Sequence, residues 1–168
     1  MEPLKDVLDR LHDSDEFREW KEKHPDCFLS TAFILLDEMN TGEWQIGYYG
    51  HDRITNFCMG TVIKPEEDQK VFKDPVEKIL PLDVDKVIFN ADQALEEAKK
   101  LQQRKYANKT PQRIVLILQN LKGKQLWNIT YISGLETLNM HISSDDGKVM
   151  KDRLVSVVDF HKGKKSNE

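Results

Sequence analysis

Cys58 and His141 are the two residues whose chemistry could support covalent catalysis. An imidazole within hydrogen-bond reach of a thiol removes its proton and generates the thiolate nucleophile. When the second half of the sequence is aligned on the first, Cys58 falls on His141, and Asn56 falls on Asn139. The sequence shows neither a carboxylate placed to orient the histidine nor an oxyanion-hole turn, so ordinary strand positions are the preferred interpretation of both. Asn56, Asn139 and His141 remain candidates for binding a ligand.

The other chemistry-bearing residues form no recognisable metal, nucleotide or hydrolase motif. The five histidines and two cysteines lack the short spacings of metal ligands. Residues 143–147 read Ser-Ser-Asp-Asp-Gly, which is typical of a hairpin turn and lacks the spaced ligands and terminal Glu of a calcium loop. The eight glycines occur singly, so the sequence has no phosphate-binding loop and no Gly-x-Ser-x-Gly elbow. We therefore predict no metal and no cofactor.

Composition excludes several classes of protein. The 168 residues carry 25 Lys and Arg against 29 Asp and Glu, a net charge of -4, so the broad positive field of a general nucleic-acid binder is absent. The longest apolar run, residues 32–36, is too short to cross a bilayer, and the first residues lack the pattern of a secretory signal. We predict a cytoplasmic protein with reduced cysteines and with neither a nucleic-acid nor a membrane partner. The basic tail, residues 161–168, is expected to be disordered.

Hairpins are predicted to carry these residues. Apolar and polar residues alternate along 127–131 and 138–142, which predicts two strands with one apolar face each. Turn residues at 133–136 and 144–147 join them and lead into a further strand. Similar turns in the first half, around Gly42 and Gly50, predict consecutive antiparallel hairpins there as well.

Helices are predicted before each set of hairpins. Asn90 and Gln93 form a capping-box pattern at the start of a helix that extends to Tyr106. In the first half, Asp13 and Glu16 bracket a similar start, and an extra short helix is expected near residues 3–11. The sequence therefore predicts the α+β class, with the helices packed against antiparallel strands.

The two halves resemble each other in an alignment that places Trp127 on Trp44, which we call the repeat alignment. It superimposes Trp44-Gln45-Ile46-Gly47-Tyr48 and Trp127-Asn128-Ile129-Thr130-Tyr131. Hydrophobic type follows the same alignment, with Phe33 over Leu116 and Leu35 over Leu118. We predict two packed repeats, residues 1–73 and 74–160. The boundary lies near Asp74, where residues 74–77 have the pattern of a capped helix start.

The second repeat resembles the PepSY and PepSY-like family. The family pattern, a helix with x-x-A-L-x-x-A followed by W-x-V-x-Y and by V-D-A-x-T-G-x-V-L, is similar to residues 92–98, 127–131 and 146–150 here. The resemblance covers about residues 86–160, with a decayed copy over 13–73. It implies a cystatin-like fold, in which a sheet wraps one helix, and a role in binding or inhibition. Ser143 stands where the family has Asp, and family members are mostly exported.

Two strands are apolar on both faces. In residues 32–36, Ala32, Ile34 and Leu36 are expected to need cover on the side away from their helix, like Val115 and Ile117 in the second half. The expected cover is the other repeat or a second copy of the chain, ahead of a small-molecule pocket or a foreign partner.

The sequence contains no cluster of reactive side chains, and two functional hypotheses remain. The first is a non-catalytic binding or interaction module, built on a duplicated PepSY-like scaffold, that holds a peptide, a protein or an apolar ligand. The second is a small enzyme with a pocket in the concavity of the sheet that uses Cys58 or His141. The first hypothesis is preferred, and a homodimer through the apolar back face of the sheet is consistent with it.

Overall fold

A computed structural model describes residues 1–39, 42–70 and 78–156. For residues 67–70 it describes the backbone alone. Within these residues the predicted α+β class is confirmed. The helices are α1 (Leu4–His12), α2 (Asp15–Lys23) and α3 (Ala91–Lys105), with a 3-10 turn at Val84–Lys86. The strands are β1 (Phe28–Leu36), β2 (Gln45–Gly50), β3 (Arg53–Met59), β4 (Ile63–Lys70), β5 (Arg113–Leu121), β6 (Lys124–Ser133), β7 (Glu136–Ser143) and β8 (Val149–Ser156).

All eight strands lie in one antiparallel sheet, in the order β4-β3-β2-β1-β5-β6-β7-β8. Each half of the chain contributes a four-stranded meander, because consecutive strands joined by short turns pair as neighbours. The two meanders meet where β1 pairs with β5, from Thr31 opposite Gln119 to Leu36 opposite Ile114. The sheet is therefore continuous across the predicted division of the chain.

Local capping explains where α2 and α3 begin. Asn90 accepts from the backbone N–H of Gln93, and the Gln93 side chain accepts from the backbone N–H of Asn90, so the predicted capping box is confirmed. Ser14, which lies between the two predicted markers of the second helix, accepts from the N–H of Phe17 and begins α2. The extra N-terminal helix is confirmed as α1.

Two buried tryptophans, one from each half of the chain, pack against each other in the core. Trp44 is 2% exposed and Trp127 is 1% exposed, and their ring centroids are 6.4 Å apart. The Trp44 indole Nε1 donates to the carbonyl of Glu2 just before α1, at 3.0 Å. The Trp127 Nε1 donates to the carbonyl of Phe89 just before α3, at 2.7 Å. Each indole thus ties one meander to the segment that leads into a helix.

The repeat alignment describes the central hairpins but fails at the junction of the halves. In β2–β3 the residue opposite Ile46 is Phe57, and in β6–β7 the residue opposite Ile129 is Met140, so the two hairpins have the same register. The predicted equivalence of Phe33 with Leu116, and with it that of Leu35 with Leu118, is wrong. Leu116 is buried and lies opposite the buried Ile34, whereas Phe33 faces the other side of the sheet.

A shift of one position places Ala32 rather than Phe33 on Leu116, and β1 and β5 then pair with their neighbouring strands in the same register. Ala32 lies opposite Ile46, as Leu116 lies opposite Ile129, and all four are fully buried. Moving a strand by one position turns every side chain to the opposite face, so burial selects this alignment of the two strands.

Three predictions lie outside the described residues. These are the repeat boundary near residue 74, the helix predicted to begin there and the basic tail 161–168.

Candidate functional site

The sheet has a covered face and an open face. The side chains of Ala32, Ile34, Leu116 and Leu118 are fully buried and belong to one cluster with apolar residues of all three helices. We call this the covered face. Because side chains alternate along a strand, the intervening residues of β1 and β5 point to the opposite side, the open face.

The predicted assignment of the β1 side chains to these faces is wrong. Ala32 and Ile34 were expected to point away from the helices, but both lie on the covered face, and Leu36 also packs against the core. The residues of β1 that point away are Phe33 and Leu35. A strand that is apolar on both faces provides two candidate sets of side chains, and only its register with the neighbouring strands decides which set is covered.

Four apolar side chains form a stripe along the middle of the open face. Phe33 lies opposite Ile117, and Leu35 lies opposite Val115. All four are partly exposed and do not belong to the apolar cluster that includes the helices. Opposite residues have Cβ atoms about 4.5–5.5 Å apart, so the side chains of each pair are within contact range. We call these four residues the apolar stripe.

A hydrogen-bonded polar cluster lies beside the stripe on β6 and β7. The Asn139 Nδ2 donates to Asn128 Oδ1 at 2.6 Å and to Thr130 Oγ1 at 2.8 Å. His141 lies opposite Asn128 in the sheet and is partly exposed. Burial, and then the neighbouring Lys151 ammonium, hold the pKa of His141 below its usual value. The predicted ligand-binding candidates Asn139 and His141 therefore share the open face.

Basic side chains extend this surface along β8. Lys151 lies opposite His141 and Arg153 lies opposite Asn139, and both are exposed. The acidic residue between them, Asp152, lies on the covered side and accepts hydrogen bonds from the Lys105 and Tyr106 side chains at the end of α3. Alternation along β8 thus turns its positive charges to the open face and its negative charge to the covered face.

Asn56, the third ligand-binding candidate, occupies the open face in the other half. It lies opposite Gly47, where an added Cβ would meet Thr31 Oγ1 at 2.2 Å, so the glycine is required by the close approach of the neighbouring strand. Five strand spacings separate β3 from β7, which corresponds to about 24 Å. Asn56 therefore lies far outside hydrogen-bond reach of Asn139, and the three candidates do not form a single site.

Cys58 and His141 are likewise not brought together. Cys58 lies in β3 and His141 in β7, at the same separation of about 24 Å. The Cys58 Sγ donates to Glu66 Oε1 at 3.3 Å, and burial together with this carboxylate raises the pKa of the thiol to about 11. The thiol is therefore protonated near neutral pH, and the Cys–His pairing considered from the sequence is not formed.

Two clefts were not anticipated from the sequence, and no residue of the apolar stripe lines either of them. One, of about 960 Å³, is lined by residues of 81–88, 120–125 and 143–150. The other, of about 410 Å³, lies between the N-terminal ends of α1 and α3 and is lined in part by Trp44 and Trp127. Neither cleft is lined by Cys58 or His141. Among the described residues, no group of three or more His, Cys, Asp or Glu is arranged to hold a metal ion.

Comparisons with known proteins bear on the fold. No family model matches the sequence, and no curated protein matches it. None of the described helices is long and apolar enough to span a membrane. The crystal structure of a putative lipoprotein from Clostridium difficile 630 is similar, with a TM-score of 0.58, 15% sequence identity, and coverage of 91% of this chain and 93% of that chain. At this identity the similarity shows that the two chains share a fold over nearly their whole lengths.

Proposed function

We propose that this protein is a non-catalytic binding module that holds its partner on the open face of the sheet. The observation that carries the proposal is the apolar stripe, since no described helix covers it. Contiguous exposed apolar surface rimmed by polar groups is typical of interaction sites. Docking of a partner would complete the burial of these four side chains. Each would then contribute on the order of 1 kcal/mol to the free energy of binding.

The proposed scaffold is a tandem duplication of a PepSY-like, cystatin-like unit. Three features support it: the equal register of the two central hairpins, the equivalent hydrogen bonds of Trp44 and Trp127, and the placement of one meander on each side of the β1–β5 junction. In this interpretation the open face is assembled from both repeats, because the apolar stripe takes two residues from β1 and two from β5.

The enzyme hypothesis has less support from the geometry. Its two reactive candidates are separated by the width of five strand spacings, and Cys58 is held as a neutral thiol by burial and Glu66. A cytoplasmic location remains a prediction. Because the similar structure is that of a putative lipoprotein, the alternative is an exported protein, and fractionation of the native cells would decide between the two locations.

An uncharged apolar dye tests whether the stripe is an available binding surface. We expect N-phenyl-1-naphthylamine to gain fluorescence with the wild-type protein and to bind at least about tenfold more weakly to Ile117→Glu, because a carboxylate in the stripe disfavours an apolar ligand. The matched control is Leu135→Glu, an equal change at an apolar side chain that is 62% exposed in the β6–β7 turn.

Val115→Thr provides a milder test of the same surface in case Ile117→Glu fails to fold. It nearly keeps the shape of the side chain but replaces one methyl group of the stripe by a hydroxyl. Circular dichroism checks that each variant is folded. Equal dye binding by wild-type, Ile117→Glu and Val115→Thr proteins would contradict the proposed function.

A further inference from the structure

We infer that the partner is a protein segment that presents apolar side chains to the stripe and carboxylates to the basic residues of β8. This inference rests on the proposed function and adds the chemistry of the partner. It follows from how charge is distributed over the open face, and from the distance between the stripe and β8.

Among the described side chains the open face carries an excess of positive charge, although the chain as a whole has a net charge of -4. Alternation places five cations with described side chains on this face: Lys64, Arg113, Lys124, Lys151 and Arg153. Near β3, the charge of Lys64 is opposed by Glu66 and Glu43, the two carboxylates that raise the pKa of the Cys58 thiol. Arg113 pairs with Asp37 at the end of the stripe and adds no net charge. Lys151 and Arg153 of β8 are adjacent on the open face, and no described carboxylate of that face lies next to them, because Asp152 points to the covered side.

The cations of β8 are available to a partner. Within the described part of the chain, neither Lys151 nor Arg153 forms an ion pair, whereas Lys105 and Lys109 each pair with a carboxylate, on β8 and β7 respectively. Complementary charge of this kind directs association and suppresses wrong partners. Carboxylates of a protein segment form charge-assisted hydrogen bonds with both Lys and Arg side chains.

The distance between the apolar stripe and the basic residues of β8 favours a protein segment over a small ligand. Three strand spacings separate β5 from β8, so the stripe lies about 14 Å from the basic residues. An extended segment rising about 3.3 Å per residue would cross this distance in about four or five residues. Asn128, Asn139 and Thr130 lie between the two features, and His141 lies beside them, so the intervening surface supplies polar groups to the backbone of such a segment.

Charge also argues against two other occupants. A second copy of the chain would present the same positive excess, so a symmetric pairing of two open faces brings like charges into one interface. The C-terminal residues His161, Lys162, Lys164 and Lys165 are themselves basic and do not complement β8. The homodimer considered from the sequence is therefore an outcome to be tested rather than the inferred occupant.

Selection from a library of random dodecapeptides tests the inference. We expect the selected peptides to combine apolar residues with Asp or Glu. Their affinity, measured by fluorescence polarisation, should fall about tenfold on the double variant Lys151→Glu/Arg153→Glu. The matched control is Lys99→Glu/Lys122→Glu, which makes the same charge change at exposed positions on α3 and in the β5–β6 turn. The dye should bind the β8 variant as it binds the wild type.

The outcomes separate this inference from the proposed function. Peptides without acidic residues, peptides that bind the β8 variant unchanged, or failure to select any peptide while the dye still binds the stripe would overturn the inference alone. Peptide and dye binding that are both unaffected by Ile117→Glu would overturn the proposed function as well. A wild-type dimer in sedimentation that Ile117→Glu dissociates would assign the face to a second copy and refute the acidic partner.

Discussion

Truncation of Trp127 to alanine tests the packing on which both faces of the sheet depend. Trp127 is 1% exposed, packs with its ring centroid 6.4 Å from that of Trp44, and donates to the carbonyl of Phe89 at 2.7 Å. Replacing a buried aromatic residue by alanine costs about 3–5 kcal/mol through lost contacts and the cavity left behind. For a chain of this size, each kcal/mol lowers the melting temperature by about 2–4 °C, so we expect a decrease of roughly 6–20 °C.

Two further variants separate the contribution of the indole hydrogen bond from that of packing and compare the two tryptophans. Trp127→Phe keeps an aromatic ring but leaves the Phe89 carbonyl without its donor, and we expect a loss of about 1–2 kcal/mol. Trp44→Ala should cost about as much as Trp127→Ala, because its indole makes the equivalent bond to Glu2. The measurement is thermal and urea unfolding followed by circular dichroism, with the exposed Leu135→Ala as the control, expected within about 0.5 kcal/mol of wild type.

A Trp127→Ala protein that melts within about 2 °C of wild type would show that the assignment of Trp127 to the packed core is wrong. The indole would then not be a packed element of the core. A large loss for Trp127→Ala with no loss for Trp44→Ala would instead contradict the equivalence of the two tryptophans, and with it the proposed duplication.

Three other outcomes are expected. Substituting Asn139 by alanine should cost no more than about 1 kcal/mol, because its bonds lie on a partly exposed face; a larger loss in urea unfolding would show that the polar cluster supports the fold. Cys58 should react slowly with iodoacetamide near neutral pH, since its pKa is raised to about 11, and Glu66→Gln should accelerate the reaction; fast alkylation of the folded wild type would count against this assignment. The pKa of His141 lies below its unfolded value, so the unfolded state binds more protons and the free energy of unfolding should decrease as pH falls below about 6.5. His141→Gln should make this decrease smaller, and an unchanged pH dependence would exclude the contribution of His141.

The central hairpins were predictable because their sequence is unambiguous. Trp127, Ile129 and Tyr131 alternate with polar residues, and all three are buried on the covered face. The start of α3 was predictable for a similarly local reason, since the capping box involves residues only three positions apart. The ligand-binding candidates Asn139 and His141 were placed on the polar face of their strand by the same alternation.

The errors arose where local pattern allowed more than one arrangement. Phe33 and Ile34 are both apolar, so nothing within β1 distinguishes the covered side chain from the open one. Cys58 and His141 match under the repeat alignment, yet equivalent positions in two halves are related by the arrangement of those halves and need not be neighbours. The sequence did not indicate the basic surface of β8, because Asp152 stands between Lys151 and Arg153 in the chain. Its charge is separated from theirs only because its side chain points to the covered face.

Capping and alternation act between residues a few positions apart, so the order of amino acids was enough to establish the α+β class, the starts of α2 and α3, and the buried faces of the central strands. The folded chain was needed to establish which face of β1 is covered, which strands lie between Cys58 and His141, and that an apolar stripe shares one surface with the cations of β8. These features depend on the order of the eight strands and on the register of β1 with β5, which is set by contacts between residues as distant in the chain as Thr31 and Gln119.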